Sequence, residues 1–184
     1  AKKSRRIREN EFFAPYFTWT KNKYTEAEDK VNQLIKNDSE MVRVNLFNYI
    51  KDGTEDVERI VLQRIEERID DFSRSTLDYI AKELAKNLLS FNRKDPVLGF
   101  SPRDKASNLL NGLLYRIDNE AFEVVLKSFD GDYRHLETLH DLEYWGRNMT
   151  ICPDNYNDRY NAILNKLNLL KDKIINDNIN IYAK

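Results

Sequence analysis

Leu62, Ile65, Ile69 and Phe72 recur every three or four residues, and Leu77, Ile80, Leu84, Leu88 and Phe91 carry the same stripe onward. That period is the signature of an amphipathic helix and excludes the alternation that a half-buried strand requires. Five Gly and four Pro in 184 residues leave few sites for tight β-turns, so the remaining segments also read as helices. The expected fold class is all-α, a single-domain helical bundle over residues 11–184 preceded by a basic segment over residues 1–10. With 41% hydrophobic residues, one core can close without disulfides or metals.

Local signals divide the chain. Thr25 with Glu28 predicts a capping box for a helix running to about Asn37, and Asp38 or Ser39 starts the next, which Gly53 ends. Ser75 and Asp78 offer a second box, so the central stretch is one long helix or two with a break near Ser73. Pro96 and Gly99 mark a loop. Ser101, Pro102 and Asp104 then give a helix start whose apolar face holds Ala106, Leu109, Leu110, Leu113 and Ile117. A shorter helix carries Phe122, Val125, Leu126 and Phe129 and closes at the turn formed by Asp130, Gly131 and Asp132. Another runs from about Tyr133 to Arg147. The last begins after Pro153, with Tyr156, Tyr160, Ile163, Leu167, Leu170 and Ile174 at heptad spacing, suited to either a core or an oligomer interface. The segment from Phe12 to Tyr24 is aromatic, interrupted by Pro15, and is expected to pack irregularly onto the helices.

Charge is informative in its distribution. The formal net charge is −1, yet Lys2, Lys3, Arg5, Arg6 and Arg8 place five cations and no anion in the first eight residues. Such a run holds phosphate, of RNA or of an anionic lipid surface. No apolar stretch approaches the ~20 residues that span a bilayer. The single Cys152 and two histidines supply neither an intramolecular disulfide nor a Cys/His zinc site, and a reducing, cytoplasmic compartment is expected. There is no glycine-rich phosphate loop, no nucleophile elbow, and nothing beside Cys152 to activate it.

Chemistry therefore centres on Arg134, His135 and His140. Glu137 and His140 have the spacing of a di-iron helix, but no second such pair exists, and no metal is assigned. Arg134, followed by the polar His135 and, five residues further on, by His140, resembles the motif of the HEPN ribonucleases: arginine, a polar residue, four to six residues, histidine. The resemblance implies metal-independent action on RNA, with His140 handling protons at the 2′-hydroxyl or leaving oxygen and Arg134 stabilising charge on the phosphate. It implies RNA contacts by His135 and the basic N-terminus, no cofactor, and a homo-oligomer in which protomers pool their motifs. In one ideal helix the two side chains lie roughly 9 Å apart along the axis and about 240° around it, so they converge only if Arg134 precedes the helix or another protomer contributes.

Within that group the chain is similar to the small accessory proteins of subtype VI-B CRISPR systems. That likeness rests on a helical body of this size, the divergent Arg/His pair and the basic start. It implies antiviral defence beside an RNA-guided, RNA-cleaving effector protein. In that family a hydrophobic segment precedes the helical domain, and Lys2 to Arg8 would be its flank on the cytoplasmic face of the inner membrane. The competing reading is a non-enzymatic helical adaptor or phage-encoded inhibitor that binds a protein partner through the heptad-spaced last helix.

Overall fold

The computed structural model describes residues 21–91 and 101–181. The basic run from Lys2 to Arg8, the aromatic residues before 21, and the loop at Pro96 and Gly99 lie outside the described residues. Among those described there is no β-strand. Helix α1 covers residues 21–36. It is followed by α2 (Glu40–Asp52), α3 (Glu55–Glu67), α4 (Arg74–Asn87), α5 (Pro102–Leu114), α6 (Asn119–Ser128), α7 (Leu136–Arg147) and α8 (Tyr156–Asn176). Single 3₁₀ turns at Ile69–Asp71, Leu88–Ser90 and Tyr133–His135 join them. No helix among the described residues is long and apolar enough to cross a membrane.

The apolar stripe read from sequence is the core. Leu62, Ile65, Ile80, Leu84 and Leu88 are fully buried, and α3 packs on α5, α4 on α6, and α7 on α8. The central stretch is two helices, and the cap between them is Ser73, whose hydroxyl accepts from the Thr76 amide. Ser75 instead lies inside α4, where its hydroxyl donates to Asp38. Asp78 accepts the Asp118 amide at the start of α6. Thr25 is likewise not a cap, because α1 is already helical at residue 21 and the Thr25 hydroxyl donates back to the Lys21 carbonyl. Its proposed partner Glu28 bridges helices, taking Arg64 of α3 and Arg68 at the C-cap of α3. The helix start at Ser101 and Pro102 forms as expected, and Asp104 does more than place a charge near the dipole, since both reciprocal bonds of a capping box are present.

The last helix settles the use of its stripe. Ile163, Leu167 and Leu170 are buried against the rest of the chain, with Tyr156, Tyr160 and Ile174 half-buried beside them. The surface on which the adaptor reading relied is therefore occupied by this chain's own core. Arg159, on the same helix, is a buried tie. Its guanidinium donates to the Leu114 carbonyl at 2.7 Å and to Asn119 Oδ1 at 3.1 Å, and it stands 4.8 Å from the centre of the Phe122 ring. It thus satisfies a carbonyl at the C-terminus of α5 and binds α5, α6 and α8 together.

Close packing of α7 on α8 depends on Gly146. A methyl group there would meet Tyr115 Oη and Tyr160 Cδ2, each at 2.9 Å, and Tyr156 donates to the Gly146 carbonyl at 2.8 Å. Glycine to alanine inside a helix ordinarily gains about 1 kcal/mol. Here Gly146→Ala should instead lose about 1–3 kcal/mol, because the displaced tyrosines belong to the interface between two helices. Urea denaturation of the variant checks the sign.

Candidate functional site

The turn before α7 is built from Asp130, Gly131 and Asp132. Gly131 adopts φ 80°, a left-handed conformation that suits glycine. Two lysines of α8 hold the turn in place, Lys166 pairing with Asp130 and Lys173 donating to the Gly131 carbonyl at 3.1 Å. Asp132 then caps the 3₁₀ turn, accepting the Arg134 amide at 2.9 Å.

Arg134 lies on that 3₁₀ turn, before α7 begins, as convergence with His140 requires. Its guanidinium forks onto the Asp132 carboxylate, Nε at 3.1 Å from both oxygens and Nη2 at 2.7 Å from Oδ2. This pair holds the Asp132 carboxyl down at about 2, chiefly through the Arg134 hydrogen bond, and raises the arginine further. The arginine side chain remains 60% exposed. An ion pair so placed contributes little stability and exchanges readily for another anion. Because the depressed carboxyl depends on the guanidinium, Arg134→Ala should move the Asp132 titration upward toward the ordinary carboxylate range. Carboxyl chemical shifts followed against pH check this; an unmoved midpoint would mean that the cap alone sets it.

His140 is exposed on α7. The 3₁₀ steps of about 120° followed by helical steps of about 100° place it within roughly 80° of Arg134 around the axis, and about 10 Å further along. Both side chains thus look outward on neighbouring sides of one helix, closer in azimuth than a continuous α-helix allows. They remain nearly two turns apart along the axis, and every hydrogen bond described for Arg134 goes to Asp132.

The site has a wider face than sequence reasoning picked out. Tyr133, Glu137, His140, Tyr144 and Arg147 succeed one another at intervals of four, three, four and three, and all are exposed. The opposite face of α7, with Thr138, Leu139, Leu142 and Gly146, is buried. Arg147 lies 5.6 Å from the Tyr144 ring centre and pairs with Glu143 at 3.3 Å. The spacing of the two tyrosines and Arg147 was available in the sequence, as the polar counterpart of the stripe holding Leu139 and Leu142.

His135 points the other way. It is 5% exposed, edge-on to Phe129 with ring centres 5.3 Å apart, and its Nδ1 is buried without a hydrogen-bond partner in the protein. His135 is thus turned away from the outer face that carries Arg134 and His140. Burial lowers its pKa below the ordinary 6.5, with Arg134 and Arg103 pushing the same way against Asp132. A histidine buried neutral contributes stability above its unfolded pKa and loses it as the pH falls through the lower folded value.

No protein-family model, curated protein or solved structure matches this chain.

Proposed function

We propose that the chain is a HEPN-like antiviral defence protein that works with an RNA-guided, RNA-targeting CRISPR effector and cleaves or senses RNA through Arg134 and His140. One observation carries the proposal: Arg134 and His140 lie on the outward side of a single helix start, with exposed Tyr133, Tyr144 and Arg147 around them, while the inward side of that helix is core. Neither the fold nor its capping requires His140, so its exposure leaves it available for chemistry.

In this reading RNA phosphate displaces Asp132 from the Arg134 fork, exchanging one charge-assisted pair for another. The tyrosine rings offer stacking surfaces for unpaired bases, and Arg147 offers a further cation for the backbone. A single histidine cannot both take the 2′-hydroxyl proton and protonate the leaving 5′-oxygen in one step. Two copies joined across a two-fold axis along the α7 face supply two histidines and two arginines to one phosphodiester, and the protein therefore acts as a homo-oligomer. The basic residues Lys2, Lys3, Arg5, Arg6 and Arg8 add RNA or anionic inner-membrane contacts on the cytoplasmic side.

Incubating the protein with single-stranded RNA in excess chelator tests the chemistry. Products ending in 2′,3′-cyclic phosphate support cleavage by the pair, and binding without cutting supports sensing. Light scattering at micromolar concentration should give at least a dimer; a monomer with full activity would refute the composite site.

A further inference from the structure

The cavity into which His135 turns has the make-up of a small-molecule site. It lies between the C-terminal half of α4, the Leu88–Ser90 turn and α6, with a volume of about 510 Å³, within the range of small-ligand pockets. Its chemistry is graded. Lys82 and Lys86, one helical turn apart on α4, both line it, and Lys86 is exposed. Leu89 and Val124 supply apolar wall. Ser90 donates its hydroxyl proton to the Asn87 carbonyl at 2.6 Å, and Ser128 donates to the Val125 carbonyl. With their protons committed, both hydroxyls face the cavity as acceptors and suit O–H or N–H groups rather than an anion. The Glu83 carboxylate, which accepts from Asn87 Nδ2 at 3.2 Å, is a further acceptor on the same wall. His135, more than nine-tenths buried and with no hydrogen-bond partner for its Nδ1 in the protein, also lines it.

A ligand that satisfies this arrangement carries an anionic group for the lysines, hydroxyls for the serines and Glu83, and a hydrogen-bonding heterocycle for the imidazole. We propose that the cavity binds a phosphorylated nucleoside, its phosphate on Lys82 and Lys86 and its sugar and base directed toward Ser90, Ser128 and His135. The same chemistry is offered by a free mononucleotide and by the phosphorylated end of an RNA chain. Neither Arg134 nor His140 lines this cavity, so the site stands or falls separately from the pair on the outer face.

Isothermal titration of the full chain with AMP, GMP, CMP and UMP in turn, beside adenosine and inorganic phosphate, tests the assignment. At least one mononucleotide should bind one per chain, and each fragment alone should bind weaker by about tenfold or more. Lys86→Glu, at an exposed position, should weaken the nucleotide by about tenfold or more, and Val124→Trp should fill the cavity and abolish binding without unfolding the chain. A 5′-phosphorylated trinucleotide that binds tighter than its mononucleotide, and loses this on removal of the phosphate, assigns the site to RNA ends; the reverse order assigns it to free nucleotide. No heat with any of the four mononucleotides at millimolar concentration, or equal affinity in both variants, would overturn the proposal.

Discussion

Leu167→Glu should unfold the subunit. Leu167 is 2% exposed on the inner face of α8, between Ile163 and Leu170 in the same stripe. Removing the leucine forfeits about 2–5 kcal/mol of burial and packing, as for other core truncations. The carboxylate that replaces it is buried among apolar side chains, with a further cost of several kcal/mol whether it stays charged or takes up a proton. Together these match the whole stability of an ordinary domain, about 5–15 kcal/mol. Far-UV circular dichroism should show loss of helix, whereas Leu169→Glu, at a position 64% exposed, should stay within about 0.5 kcal/mol of the parent. A folded Leu167→Glu subunit that merely dissociates from an assembly would make α8 an interface and contradict the packing described above.

The helices were legible because burial in a bundle is written in the period of the apolar residues, and no strand pattern competes with it. Local caps were less legible. Thr25 and Glu28 have the spacing of a capping box, but the same spacing occurs inside a helix when nothing upstream stops it, and there the hydroxyl donates backward to Lys21. Ser75 has that spacing with Asp78 while Ser73, the true cap, does not; Asp38, thirty-five residues before Ser73, accepts from both hydroxyls, and the 3₁₀ turn at Ile69–Asp71 fixes where α4 can begin. Arg159 sits among Tyr, Asn and Asp at a helix start and reads as solvated. Its burial follows from a carbonyl at Leu114 and a ring at Phe122, both distant in sequence.

The candidate site was legible in part for a related reason. Arg134 and His140 stood out because histidines are scarce in this chain, and the turn at Asp130 to Asp132 was plain from its residues. That His135 turns inward while Tyr133 and Arg134 turn outward follows from the 3₁₀ step of about 120° per residue, which the sequence does not announce. Phe129, which receives its ring, is the C-cap of the preceding helix. The cavity beyond it is tertiary altogether, since α4 and α6 meet only in the fold.

The Arg/His pair carries the second large effect. Arg134→Ala removes the one side chain placed to fork a phosphate at the head of α7, and His140→Ala removes the only exposed imidazole among the described residues. Neither is buried and neither holds another helix, so thermal melts of both variants should fall within about 0.5 kcal/mol of the parent. Loss of a charge-assisted contact to RNA phosphate is worth about tenfold to a hundredfold in affinity. The decisive measurement is fluorescence anisotropy of a labelled single-stranded RNA, titrated at low salt with chelator present, for the parent and the two variants side by side. The parent should bind, and folded Arg134→Ala should bind weaker by about tenfold or more. Equal affinity in the parent and Arg134→Ala, or no binding by the parent, would contradict this reading.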